Sequence, residues 1–291
     1  MKQENQETEQ LGEIKLIIEK VKVEGNGCIL ITGPSSCGKG EIAKALCRFL
    51  SLPELRHLSM GEILRNALDR SKKDTGFRQI LAETYNISEK KNIYDIRYNR
   101  IEIVEKAEQY AAELSCYFGK TFNKISQLDW LEFCVRQGLL VPDEWTVSLL
   151  DAMLYNTPEL QQGIFILDGY PRTEKAAEYL LETMKSLRIP IIKVLHLFIT
   201  KEQMKARAKF RNRQDDEDES LERRYQFYIE KVQPCIDFLK VRLGSSVVSL
   251  IDAHQPIIRE DGTLDKNASI MEVVYSVLQA LGLPRYLTEI H

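Results

Sequence analysis

Cys28-Ile29-Leu30-Ile31-Thr32, followed at once by Gly33-Pro34-Ser35-Ser36-Cys37-Gly38-Lys39-Gly40, decides the fold. An apolar run without alternation reads as a strand buried on both faces. The loop after it has the G-x-x-x-x-G-K spacing of a phosphate-binding loop, and the helical stretch Glu41–Leu50 completes the strand–loop–helix context. Glycines let successive backbone N–H groups turn inward onto anionic oxygens. The helix N-terminus adds partial positive charge, and Lys39 adds a full one. Gly33, Ser35, Ser36, Cys37, Gly38, Lys39, Gly40 and Glu41 are therefore candidate nucleotide contacts. Nothing in the loop says what is phosphorylated.

Outward from this stretch, apolar runs recur at Leu55–Leu58, Ile164–Leu167, Val194–Ile199 and Val247–Ile251, separated by helical segments. Uninterrupted strands between helices predict a three-layer α/β domain around a five-stranded parallel sheet. Residues 1–10 read as a solvated tail and Leu11–Val23 as a short amphipathic helix. Asn66–Gln137 differs: it shows no convincing strand, and its 12 basic residues nearly cancel 11 acidic ones. One helix stands out there, with apolar residues at 101, 103, 104, 107, 110, 111, 114, 117 and 118. The segment reads as a mostly helical excursion between two strands of the main domain.

Composition narrows the function classes. Forty Lys and Arg against 43 Asp and Glu leave a net charge of −3, too balanced for holding nucleic acid by bulk charge. The longest apolar run, Ile189–Thr200, is interrupted by Lys193 and His196 and falls far short of a membrane span. MKQENQETEQ lacks the apolar core of a secretory signal, which predicts a cytoplasmic protein. The six cysteines form no C-x-x-C pair and none of the four histidines completes a ligand set, so reduced thiols and no zinc are expected.

Two further motifs carry chemistry. Asp168-Gly169-Tyr170-Pro171-Arg172-Thr173 follows the run Ile164–Leu167. An acidic residue at the carboxyl end of a buried strand can hold water on Mg²⁺, and Arg172 can fork onto a phosphate. Arg207 and Arg211 are spaced to share one helix face, and Arg213, Asp215, Asp216 and Arg224 follow. Taken alone, that third run also fits a solvated surface that neutralises itself.

In order, these strings resemble the adenylate kinase family of nucleoside monophosphate kinases. His57-Leu-Ser-Met-Gly61-Glu-Ile-Leu-Arg65 resembles the family's acceptor-receiving segment, and Gly138-Leu-Leu-Val141-Pro-Asp143-Glu144 the motif that closes the acceptor arm. DGYPRT at 168–173 is close to the family's DGFPRT. Arg213-Gln-Asp215-Asp216, Arg224, Tyr228 and Pro234-Cys-Ile-Asp237 follow the pattern around its lid, and Ile251-Asp252 the strand end against the donor base. The likeness covers residues 27–68 and 131–258.

The resemblance implies a P-loop kinase core at 27–60, 138–206 and 225–291, after an N-terminal tail and helix at 1–26. It implies an enlarged acceptor-binding arm at 61–137 and a short lid at 207–224. Lys39 and the loop would cradle the phosphates of ATP, with Arg207 on the donor base and Gln255 a further donor contact. Arg211 would neutralise the group in flight. Met60, Gly61, Arg65, Val141, Gly169, Arg172, Arg213 and Arg224 would surround the acceptor, and Asp168 would act through water on Mg²⁺. Lys39, Arg172, Arg211, Arg213 and Arg224 form the implied catalytic set. The expected partners are nucleotides, neither nucleic acid nor membrane, and the expected state is a monomer.

Four positions depart from the family pattern. Glu41 stands where a hydroxyl is usual, and two consequences are open: a carboxylate that joins the metal, or one that repels phosphate. Met60 replaces another hydroxyl, Ala176 replaces the glutamine that reads adenine, and only Asn212 separates Arg211 from Arg213. Between Arg65 and Gly138 the arm holds 72 residues, which can cap the acceptor site, reshape it for a bulkier substrate, or bind a partner protein. Cys37 reads either as a small loop filler or as a thiol activated by Lys39 and the helix end. Three functions remain in view: a nucleoside monophosphate kinase, a small-molecule kinase, and a weakly active nucleotide-binding protein.

Overall fold

The computed structural model describes residues 25–211 and 218–283. The N-terminal tail and helix, Arg213, Asp215 and Asp216 lie outside the described residues, as does the side chain of Arg211.

Strand β1 (Gly27–Thr32) is buried along its whole length and leads through the glycine loop into helix α1 (Lys39–Phe49). A 3₁₀ turn at Glu54–Arg56 precedes strand β2 (His57–Ser59), which therefore starts later than the apolar run at Leu55–Leu58 suggested. Pro53 fixes the turn, because the Arg56 N–H bonds back to its carbonyl.

Strand β3 (Ile164–Asp168) is also wholly buried. Strand β4 (Ile191–Phe198) and strand β5 (Val248–Asp252) complete a sheet ordered β2-β3-β1-β4-β5. All four pairings are parallel, so the expected P-loop kinase architecture is what the chain adopts. A parallel sheet must be covered on both faces, which explains the unbroken apolar runs. On one face Ile29, Ile31, Ile166, Leu195 and Leu197 pack with Ile42 and Leu46 of α1 and with Val274 and Val277 near the C-terminus. The alternate residues Leu30, Phe165, Leu167 and Val194 are equally buried, so the opposite face is covered too.

The chain leaves β1 toward one side of the sheet and crosses from β3 to β4 on the other. The carboxyl ends of β1 and its neighbours therefore open onto one crevice edge, where ligands of such sheets bind. Gly33, Gly169, Thr200 and Ala253 all sit just beyond those ends.

The described residues form two compact units, Met60–Asn156 and the rest. The smaller contains helices α2 (Met60–Lys73), α3 (Thr75–Glu83), α4 (Ile101–Gln109), α5 (Ala111–Phe118), α6 (Gln127–Gln137) and α7 (Asp143–Tyr155). The single long helix expected over 101–118 is two, broken at Tyr110, whose backbone leaves the helical region at φ −108°, ψ 15°. The break sets the Tyr110 ring against Trp130 and Phe133, at centroid distances of 6.2 and 6.0 Å. Trp130, Phe133, Leu114, Ile93 and Ile125 give this unit its own fully buried centre. Its entry to α6 is fixed by a capping box between Ser126 and Asp129.

The larger unit continues with helices α8 (Pro158–Gln161), α9 (Glu174–Ser186), α10 (Lys201–Arg211) and α11 (Asp218–Phe227). A π turn at Tyr228–Val232 leads into α12 (Gln233–Leu243), and α13 (Lys266–Ala280) closes the described chain. Glu222 pairs with Lys201 and with Lys205, at 3.2 Å from the latter, joining α10 to α11. Among the described residues no helix is long and apolar enough to cross a membrane.

Candidate active site

Gly33 turns the chain out of β1 at φ 145°, and a Cβ there would lie 2.3 Å from the Leu197 carbonyl oxygen. Only glycine fits so close to the neighbouring strand. Gly38 caps α1 from the left-handed region at φ 94°, which aims the first N–H groups of the helix toward the loop. Between them Ser36, at φ 60°, carries a buried hydroxyl without a hydrogen-bond partner. Lys39 curls back over the loop, donating to the carbonyls of Gly33 (3.0 Å) and Pro34 (2.7 Å). An anion in the loop would compete for that ammonium with two neutral carbonyls, a contest the anion wins on charge.

Cys37 is buried with the aliphatic residues beneath the sheet edge, 3.6 Å from the Lys39 ammonium. That placement matches the small-filler reading, since a thiol shut from solvent is out of an oxidant's reach. Glu41 is exposed in the first turn of α1, where a carboxylate suits the helix dipole.

Asp168 ends β3 and lies beside the loop: a Cβ on Gly40 would sit 3.7 Å from its Oδ2. The same oxygen is 3.8 Å from His57 Nε2, and both Asp168 Oδ1 and His57 Nε2 are buried without a hydrogen-bond partner. A buried carboxylate oxygen left without a donor is costly unless something arrives to satisfy it. The donor set fits Mg²⁺ held through water and substrate phosphates, because that ion keeps most of its hydration and takes few protein ligands. Among the described residues no group of three or more His, Cys, Asp or Glu is placed to hold a metal by itself.

Gly169, at φ 77°, and the Tyr170–Pro171 cis peptide turn Arg172 back, so that its Nε donates to the Gly169 carbonyl at 2.9 Å. Burial depresses the Arg172 proton affinity, Asp168 opposes that, and the positive charge of Arg224 adds to it. Two guanidinium groups thus act on each other beside the Asp168 carboxylate. Arg207 joins two parts of the site, donating to Cys37 O (3.2 Å) in the loop and to Ala253 O (2.6 Å) just past β5. The Gln255 side chain donates to Asp252 O at 2.8 Å and to Ser276 Oγ at 3.0 Å. Ala176 is fully buried and uses its N–H on the Thr173 cap and its carbonyl on the Tyr170 hydroxyl.

The larger unit thus brings together the loop from Gly33 to Gly40, Asp168, Gly169, Arg172, Arg207 and Arg224. Met60, Gly61, Arg65 and Val141 belong to the other unit. There Met60 and Val141 are buried, and the Arg65 guanidinium folds back over Gly61, whose Cβ would lie 3.2 Å from it. Helix α2, which carries the first three, packs against α7, which begins two residues after Val141.

Two groups were absent from the sequence-derived set. His57 faces Asp168, and the string His57-Leu58-Ser59 signals it, because the register sets Ser59 beside Asp168. His196 looked like an interruption of an apolar run, and no local spacing connects it to Thr32 or Tyr228.

A family model described as adenylate kinase matches residues 126–243. The adenylate kinase of Mycobacterium ulcerans is 34% identical over 254 residues, covering 87% of this chain and 98% of its own length. That of Mycobacterium marinum is 29% identical over 254 residues with the same coverage of both chains. That of a Cyanothece species is 26% identical over 232 residues, 78% of this chain and 88% of its own.

Proposed function

The chain belongs to the adenylate kinase family, and on that footing we propose that it moves the γ-phosphate of ATP onto a nucleoside monophosphate. Membership itself supports nucleotide phosphotransfer in general; the acceptor class and Mg²⁺ are our reading. The observation that carries it is the Arg172–Arg224 pair beside Asp168 and the glycine loop, which gathers cationic groups where the loop can hold an anion. Bound Mg²⁺ would draw charge from the phosphate oxygens, with Asp168 holding its water.

The residues themselves do three things in this reading. The loop and Lys39 orient the donor phosphates. Arg172 and Arg224, joined by Arg211 and Arg213, hold the acceptor phosphate and spread cationic charge around the transferred group. The unit Met60–Asn156, through Arg65, Gly61, Met60 and the backbone near Val141, receives the acceptor. No covalent intermediate is required, because alignment and electrostatic stabilisation supply the catalysis.

Purified protein supplied with ATP and Mg²⁺ should convert at least one of AMP, CMP, UMP, GMP or the deoxynucleotides to its diphosphate. Failure with every acceptor, in protein shown to be folded, would reject the proposal. A second reading, a kinase for a non-nucleotide acceptor, draws on Met60 and Ala176. Thermal stabilisation by no monophosphate would favour it over the first.

A further inference from the structure

Thr32, His196 and Tyr228 form a buried chain of hydrogen bonds under the phosphate loop. Thr32 Oγ1 lies 2.9 Å from His196 Nδ1, and His196 Nε2 lies 2.9 Å from the Tyr228 hydroxyl. All three are at most 4% exposed. Thr32 and His196 are direct neighbours across the β1–β4 pairing, so both side chains leave the sheet on the same face. The His196 and Tyr228 rings lie parallel, with an interplanar angle of 4°. A Gln233 side-chain hydrogen bond reaches the same phenol oxygen.

What these residues adjoin gives the chain its meaning. Thr32 immediately precedes Gly33, the first residue of the loop. Tyr228 stands four residues after Arg224, one turn further along the same helical rod, on the same face. The charge of Lys39 is felt at His196. Apolar residues at these places would pack at less cost than three buried polar groups, but they would leave the rod free to roll.

We propose that Thr32, His196 and Tyr228 are positioning residues that fix the Arg224-bearing helix to the base of the phosphate loop. The proposed relay runs in one donor order, with the His196 proton on Nδ1. The Gln233 amide donates to Tyr228 Oη, the Tyr228 O–H donates to His196 Nε2, and the His196 Nδ1–H donates to Thr32 Oγ1. This order requires a neutral imidazole. The proposal rests on the phosphotransfer reading, because it assigns the relay the task of aiming Arg224.

The test uses the full chain and four variants: Tyr228→Phe, Thr32→Val, Thr32→Ser and Arg224→Ala. Tyr228→Phe and Thr32→Val should each lower kcat roughly tenfold with the KM for ATP little changed, as expected of a misaligned catalytic group. Thr32→Ser, which keeps the hydroxyl, should restore the rate. Adding Tyr228→Phe to Arg224→Ala should cost little more than Arg224→Ala alone. A lowered melting temperature with kcat of the folded enzyme unchanged would overturn the proposal, as would fully multiplicative losses in the double variant.

Nitrogen-15 NMR supplies a readout that needs no turnover. His196 should show a neutral Nδ1–H imidazole at pH 6 that changes in Tyr228→Phe. An Nε2–H form, or indifference to that substitution, overturns the relay by itself. Wild-type protein that turns over no monophosphate sinks the phosphotransfer reading instead, and the nitrogen resonances then still decide the relay.

Discussion

Asp168 in the sheet unit and Gln127 in the helical unit are both buried polar residues, and they are treated in opposite ways. Gln127 is fully enclosed and satisfied: its Oε1 accepts from Ser88 N–H at 2.9 Å, and its Nε2 donates to Asn99 Oδ1 at 2.8 Å. Asp168 keeps one oxygen without a partner, beside an equally orphaned His57 nitrogen and near the loop of Ser36. The helical unit has orphans too, Tyr94 Oη and Trp130 Nε1, but these are uncharged ring donors. Closing a polar network stabilises a fold, whereas leaving ionic groups open near a glycine loop reserves them for a ligand. The difference fits the proposed division of labour, in which the sheet unit grips phosphates and much of the helical unit is closed scaffold.

The sharpest way to break this contrast is to remove a reserved cation. Lys39→Met or Arg172→Ala should each lower kcat by about 10³ or more while the protein still folds. A loss under about tenfold in a steady-state phosphotransfer assay would move the chemistry elsewhere.

The next effect is on stability. Burial first, then the charges of Lys39 and Lys240, pushes the His196 pKa down to about 4 from an ordinary value of 6.5, against a smaller opposing pull from Asp237. The unfolded chain therefore binds a proton between those values that the folded chain refuses. Stability falls as pH drops through that window, by up to about 3 kcal/mol, and is unaffected by this group above it. Urea titrations of wild type and His196→Asn at pH 7 and pH 4.5 should show a steeper loss in the wild type. Equal pH dependence would mean that His196 is not held neutral.

In the helical unit, Lys106 on α4 reaches out of the inserted segment to donate to the Leu140 carbonyl at 3.2 Å, just before Val141. Burial lowers its proton affinity, opposed by Cys134 and Asp143. Lys106→Met should raise the KM for the acceptor roughly tenfold and leave the KM for ATP unchanged, as loss of one buried charged hydrogen bond would do. Equal effects on both constants would blur the division between the units. The smallest change is expected from Glu41→Thr, within about threefold in kcat, because an exposed first-turn carboxylate interacts weakly. A gain of a hundredfold would show instead that Glu41 suppresses activity.

The legible part of the site follows chain direction. The glycine loop and the Asp168–Arg172 turn each come straight after a buried strand, so local spacing alone places their functional atoms. Ala176 could be aligned from the sequence but not located: it packs inside the protein instead of lining a site. The break at Tyr110 was equally hidden, since the apolar pattern runs through it and only the Trp130–Phe133 centre makes the bend favourable.

Residue order by itself determined the parallel sheet, the glycine loop after its first strand, and the Asp168–Arg172 turn after its third. These features depend on strands and turns a few residues long. Tertiary structure alone decided that Thr32, His196 and Tyr228 would meet, and that Arg224 would act on Arg172 across the fold. Such contacts join residues up to 164 positions apart. Their energies depend on burial and on exclusion of water, which no stretch of sequence carries alone.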